Sequence, residues 1–303
     1  MWFWLSIGAL IFWSGSDLFG KIGCRESSDK LSHLKMTAAV GMVMGAHAIY
    51  EIVIGGVELD STVFLTYLPV SLLYIVSMVL SYAAFRYIEL SISSPICNSS
   101  GAIVAILTFA VRGVSADLPS AALIAVALVC IGTVYLGFVE ANEDEDLREK
   151  RQELSNYKYA KSALAFILPI GYCLLDALGT FADSIVLERL NEDSANCAYE
   201  LTFFACGIIC LFYVYIIKKN RFSTKSAVPK LTGAVFETIG QVCYIYALSD
   251  TEHVAFSAPI IASFCIASVI WSRLFLKERL SKKHYIAIGL VVLGIVLMGI
   301  LDI

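Results

Sequence analysis

The chain has 303 residues, of which 58% are hydrophobic and only 16% charged, with a formal net charge of −4 and a mean hydropathy of +0.77. A soluble domain carries roughly a quarter of its residues as charges, so this composition excludes a soluble globular protein and describes an integral membrane protein. The slightly negative balance gives no sign of nucleic acid as a partner; the expected surroundings are a lipid bilayer and a small-molecule substrate.

In chain order, ten apolar stretches approach the length of about 20 residues that a helix needs to cross the hydrocarbon: 2–22, 32–55, 64–86, 91–112, 119–139, 160–186, 196–217, 230–249, 254–276 and 284–301. The first has no basic flank before it and carries Trp2, Trp4 and Asp17, so it reads as a retained span rather than a signal peptide. Most connections are short. The long polar one, 140–159, runs from Glu140, Glu143, Asp144, Glu145 and Asp146 into Arg148, Lys150 and Arg151. It divides the chain into residues 1–139 and 160–303 with a charged linker between them. Five spans per half is an odd number, so the second half must enter the bilayer upside down relative to the first. The expected fold is all-α, with ten transmembrane helices in two inverted five-helix repeats.

Short frames recur in the two halves. Asp17-Leu-Phe-Gly20 in the first span matches Asp176-Ala-Leu-Gly179 in the sixth. Tyr82-Ala83 and Tyr246-Ala247 each precede a proline by the same distance, Pro95 and Pro259. Internal repeats of this kind point to a transporter whose site lies between the halves near the bilayer midplane. All 22 Lys and Arg residues except Arg112 and Arg189 fall on or beside the connections that follow odd-numbered spans. By the positive-inside rule that face is cytoplasmic, which places the 140–159 linker inside and both termini outside.

A carboxylate within a span costs roughly 2.5–3.5 kcal/mol on insertion scales, so an intramembrane acid is a functional candidate by default. Asp176 sits mid-span and Asp183 lies two turns further along the same face, close enough to Glu188 and Arg189 to read equally as an interfacial charge. Asp17 has Lys21 four residues on, a spacing at which opposite charges pair along a helix. In the eighth span Glu237, Gln241 and Tyr244 stack on one face. The offset that carries Pro95 to Pro259 carries Ser77 to Gln241, giving a matching third-span stripe of Tyr74, Ser77 and Ser81. Asn98, Ser99 and Ser100 follow Pro95, with Ser263 at the equivalent place in the ninth span. The candidate substrate or ion ligands are therefore Asp17, Asp176, Glu237, Gln241, Tyr244, Asn98, Tyr74, Ser77 and Asp183. Glu200, early in its span, reads as an interfacial charge. His47 and His253 lack metal-ligand spacing, and the nine cysteines form no CxxC pair, so neither a metal site nor a disulfide framework is expected. No cofactor is expected, and no Walker A loop is present.

The chain resembles the EamA-type members of the drug/metabolite transporter superfamily. The resemblance rests on the two sets of five spans and, most specifically, on Pro259, Leu276-Lys277-Glu278-Arg279-Leu280 and the small-residue final span from Ile288-Gly289-Leu290 through Gly294 and Gly299. The first half departs from it, since Ala116-Asp117-Leu118-Pro119 stands where the Lys-Glu-Arg turn would fall. The resemblance implies a transporter rather than an enzyme, moving small metabolites by alternating access. It implies that spans 1–4 and 6–9 surround a cavity and that spans 5 and 10 pack at the periphery. Several intramembrane acids and few intramembrane cations favour an amino acid or a cationic amine or drug as substrate, with protons as candidate coupling ions. The competing classes are an intramembrane aspartyl enzyme using Asp17 and Asp176, and a passive channel or facilitator.

Overall fold

The structure is a computed structural model, and it describes residues 1–24, 29–87, 90–113, 119–141, 163–221, 224–275 and 281–301. The 140–159 linker lies almost wholly outside these residues, as do the Lys-Glu-Arg turn at 276–280 and Ala116, Asp117 and Leu118. The helices are α1 (Trp2–Cys24), α2 (Ser32–Val53), α3 (Ser61–Tyr87), α4 (Leu90–Asn98), α5 (Ser100–Arg112), α6 (Ser120–Ala141), α7 (Ala163–Val186), α8 (Glu192–Phe212), α9 (Thr224–Leu248), α10 (Val254–Ala262), α11 (Phe264–Phe275) and α12 (Lys282–Leu301). No strand occurs among the described residues. A π turn, Tyr213–Ile217, continues α8.

Among the described residues, seven helical stretches are long and apolar enough to cross a membrane: Trp2–Cys24, Ser32–Val53, Ser61–Phe85, Ser120–Val139, Glu192–Ile217, Ser226–Leu248 and Val254–Phe275. The helices α7, at 24 residues, and α12, at 20, also have membrane length. The surface agrees with a lipid setting, because large apolar side chains such as Leu65, Ile131, Phe138, Ile209 and Ile300 face outward while Ser93, Asn98, Asp183, Glu200 and Glu237 are buried. In water that arrangement would be an aggregation liability.

Local chemistry sets the helix ends. Asn191 caps α8, its side-chain oxygen accepting from Asp193 N at 3.0 Å and Ser194 N at 3.3 Å, which satisfies two of the otherwise unpaired first-turn donors. Gly113 closes α5 at φ 80, its N–H donating to the Phe109 carbonyl, a backbone conformation that favours glycine. The fourth span, expected as one helix over 91–112, is broken at Ser99 between α4 and α5, and the ninth is broken at Ser263 between α10 and α11. Pro95 and Pro259 each stand four residues before the break. At both breaks the chain tightens, with Ser99 N reaching Ile96 O at 3.4 Å and Ser263 N reaching Ile260 O at 3.1 Å. The offset that relates the two prolines also relates the two break residues.

The helices pair across the halves. α1 runs against α9, and α3 against α7; α2 packs on α8, α6 on α12, α5 on α10 and α4 on α11. Small residues allow the closest approaches, as helix packing in lipid favours. A Cβ at Gly41 would lie 2.5 Å from the Phe203 carbonyl oxygen and 3.0 Å from Gly207 Cα, and one at Gly294 would lie 2.7 Å from the Ala125 carbonyl oxygen.

Buried lysines tie one end of this bundle together. Lys21 donates to the Phe85 carbonyl at 2.8 Å and Lys230 to the Gly23 carbonyl at 2.5 Å, each near a helix C-terminus where cations are favoured. Lys35 binds Asp29 at 2.7 Å, Asn220 at 3.1 Å and the Arg221 carbonyl at 2.7 Å. Burial raises the pKa of Asp29, but the Lys35 ammonium and the Leu31 N–H outweigh it and hold the carboxyl below its ordinary value.

Candidate functional site

A cavity with about 550 Å³ of atom-free space, open solvent included, lies between the two halves. α1 contributes Trp13 and Asp17; α3 contributes Tyr74, Met78, Ser81 and Tyr82; α4 contributes Ser94, Cys97 and Asn98. From the second half come Tyr172 and Asp176 on α7, Tyr199 on α8, Glu237 and Gln241 on α9, and Phe264 on α11. A smaller adjoining hollow shares Trp13, Asn98, Tyr172, Asp176 and Phe264 and adds Ser100, Thr180 and Tyr244. Among the described residues, no lining side chain is basic and none comes from α6 or α12.

The broken fourth span holds the two recurring aspartates. Ser94, on α4 before the break, donates to Asp17 at 2.8 Å. Ser100, on α5 just after it, donates to Asp176 at 2.7 Å. Ser268 on α11 gives Asp17 a second donor at 3.2 Å. Asn98 stays with its own helix, its amide donating to the Ser94 carbonyl at 2.7 Å. Each aspartate therefore faces the same cavity from its own half with hydroxyl donors behind it, and Glu237 adds a third carboxylate. An isolated buried carboxylate is costly, and three carboxyl groups around one space make the lining acidic.

Of the residues expected at the site, Asp17, Asp176, Glu237, Gln241, Asn98 and Tyr74 line the main cavity, and Tyr244 lines the adjoining hollow. Two do not. Ser77 turns away and donates to the Tyr74 carbonyl at 2.7 Å, because a helical hydroxyl finds its own backbone more easily than a neighbour. Asp183 is fully buried. It accepts from Tyr67 at 2.8 Å and Tyr244 at 3.1 Å, with the Tyr74 hydroxyl at 3.5 Å, while Tyr74 and Tyr244 also touch through their hydroxyls. The expected Asp17 to Lys21 pairing gives way to the serine contacts on Asp17 and the Phe85 contact on Lys21.

Sequence reasoning missed the aromatic walls Trp13, Tyr172 and Tyr199. A signal existed, since Tyr172 precedes Asp176 by one turn and Trp13 precedes Asp17 by one turn. Glu200 is buried and contacts His47 at 2.9 Å; His47 also lies 3.7 Å from Glu51. That pair joins α2 to α8 away from the cavity. Among the described residues no group of three His, Cys, Asp or Glu side chains is placed to hold a metal ion.

Fold and cavity together define a polytopic α-helical membrane protein with a polar, acid-lined interior. Residues 163–300, most of the second half of the chain, match the model of the EamA-like transporter family. A solved crystal structure of a protein at 12% sequence identity superposes with a TM-score of 0.67, covering 99% of this chain and 96% of its own; at that identity it speaks for the fold alone. No curated protein matches the chain.

Proposed function

We propose that the protein is a secondary active transporter of a small amine-bearing solute, working by alternating access between two inverted five-span repeats. The supporting observation is that the helix pairings map onto themselves when the halves are exchanged. α1 against α9 becomes α7 against α3, while α2 with α8, the α4/α5 span with the α10/α11 span, and α6 with α12 pair with themselves. A twofold axis relating the halves accounts for this pattern; in this reading the odd number of spans per half sets the axis in the membrane plane, and a cavity on it opens to either side by rocking one set of helices against the other.

Asp17, Asp176 and Glu237 are the binding carboxylates in this reading, with Gln241, Tyr74, Tyr244 and Asn98 shaping the site. Each carboxylate can hold a proton or a substrate ammonium, and competition between the two suffices for proton-coupled exchange. In this reading the linker is cytoplasmic and both termini lie outside a cell membrane, which the distribution of basic residues favours. Proteoliposomes with and without a pH gradient test the reading. A coupled carrier accumulates an amine substrate uphill only with the gradient; equilibration without accumulation sinks the coupled mechanism, and consumption of the solute would indicate an enzyme.

A further inference from the structure

The cavity wall has a second polar set besides its acids. The Tyr82 hydroxyl, the Gln241 amide nitrogen and the Trp13 indole nitrogen are buried and meet no hydrogen-bond partner in the protein, and all three side chains line the same cavity. Tyr82 and Gln241 are each only 3% exposed. Unpaired buried donors are rare because each gives up its hydration with nothing in return. The contrast with the neighbouring hydroxyls is informative, since Ser94, Ser100 and Ser268 are all committed to carboxylates. Tyr82 on α3 and Gln241 on α9 are left with donors for something outside the protein.

The charge of the wall selects the kind of acceptor. A ligand carboxylate would enter a space ringed by Asp17, Asp176 and Glu237, with no basic lining side chain among the described residues. Any of these acids that is ionised repels a like charge a few ångströms away in a low-dielectric space, and a ligand carboxylate would find no basic partner there, an unmatched charge being an effective device for rejecting a ligand. A neutral oxygen carries no such penalty. The faces of Trp13, Tyr172, Tyr199 and Phe264 suit an apolar or aromatic body and contribute cation–π attraction to an ammonium.

We propose that the cavity takes an organic ammonium compound that also carries a neutral oxygen acceptor, an amino amide or amino alcohol rather than a free amino acid. Tyr82 and Gln241 hold the oxygen while the carboxylates hold the ammonium. This inference rests on the amine reading above, and it narrows that reading by excluding zwitterions.

Four compounds on one skeleton separate the two readings: phenethylamine, phenylalaninol, phenylalaninamide and phenylalanine. Their affinities for the purified full-length protein are measured by ligand-induced thermal stabilisation. Phenylalaninamide and phenylalaninol should bind about 10-fold tighter than phenethylamine, the scale of one or two neutral hydrogen bonds, and phenylalanine should bind weakest. In Gln241→Leu and Tyr82→Phe the amide-to-amine affinity ratio should fall toward one. Phenethylamine binding as tightly as the amide, or ratios unchanged in both variants, overturns the acceptor site and leaves the amine reading standing. Tightest binding by phenylalanine overturns it in favour of a zwitterion, and no binding by any of the four removes the amine reading as well. Without ligand both variants should match or exceed the wild-type melting temperature, because each loses an unpaired group; failure of either to fold would show that the group has a partner within the protein and overturn the proposal.

Discussion

Tyr67 on α3 donates its hydroxyl to Asp183 on α7 at 2.8 Å, and both side chains are fully buried. Asp183 lies two turns, about 10 Å, beyond Asp176 along the same helix, so the helix offers one carboxylate to the cavity and keeps the other for a tyrosine cluster joining α3, α7 and α9. A hydrogen bond to a charged group is worth about 1.5–3 kcal/mol. Tyr67→Phe should lower stability by that amount in detergent unfolding experiments. Asp183→Asn should also be destabilised yet retain uphill transport, and loss of transport with unchanged stability would bring Asp183 into the binding machinery.

The cavity carboxylates should behave in the opposite way. Asp176→Asn and Glu237→Gln keep shape and remove charge, so each should abolish gradient-driven uptake in reconstituted vesicles while the protein still folds and inserts. Wild-type rates and pH dependence in both variants would sink the carboxylate mechanism. Collapse of the fold in either would instead assign that acid to holding the helices together.

Asp29 gives a pH dependence outside the spans. Its carboxyl is held below the ordinary value of 3.8 in the folded protein, so it contributes stability above that value and loses it as pH falls through the lower folded one. Melting temperatures followed from pH 6 down to pH 3, roughly the range that brackets an ordinary aspartate, should drop less steeply in Asp29→Asn than in the wild type. Parallel curves would show that the Lys35 contact does not depress the carboxyl.

At Gly41 the α2 and α8 backbones come close enough that any Cβ collides with the Phe203 carbonyl oxygen at 2.5 Å. The nearest atom is backbone, so the helices themselves must separate. Gly41→Ala should cost about 1–3 kcal/mol, the range for overpacking a tight interior, and an unchanged unfolding midpoint would mean that the two helices are further apart.

Orientation is open to a direct test. A reporter that is active only in the cytoplasm should be silent when fused after Ile303 and active when inserted in the 140–159 linker. Activity at Ile303 would break the ten-span parity.

The membrane class, the helical fold and the likeness of the second half to a transporter family model were legible in the sequence because they depend on local, additive properties: apolar length, sparse charge and a terminal motif. The acids of the site were legible for a related reason, since a carboxylate in an apolar run is costly wherever it points, and Asp17 and Asp176 stood in matching frames. Direction was not legible. Asp176 and Asp183 share one face of one helix, and only the packing of α3 against α7, with Tyr244 reaching Asp183 from α9, sends the first to the cavity and seals the second among tyrosines. Ser77 and Gln241 correspond in sequence, yet one bonds its own backbone and the other lines the cavity, because a hydroxyl reaches the preceding turn and a long amide does not. The partners of Asp17 come from α4 and α11, far along the chain, and the helix breaks at Ser99 and Ser263 depend on how the freed backbone groups are satisfied. Such choices are made by tertiary packing, where the polar groups of a membrane protein must find one another because lipid offers them nothing.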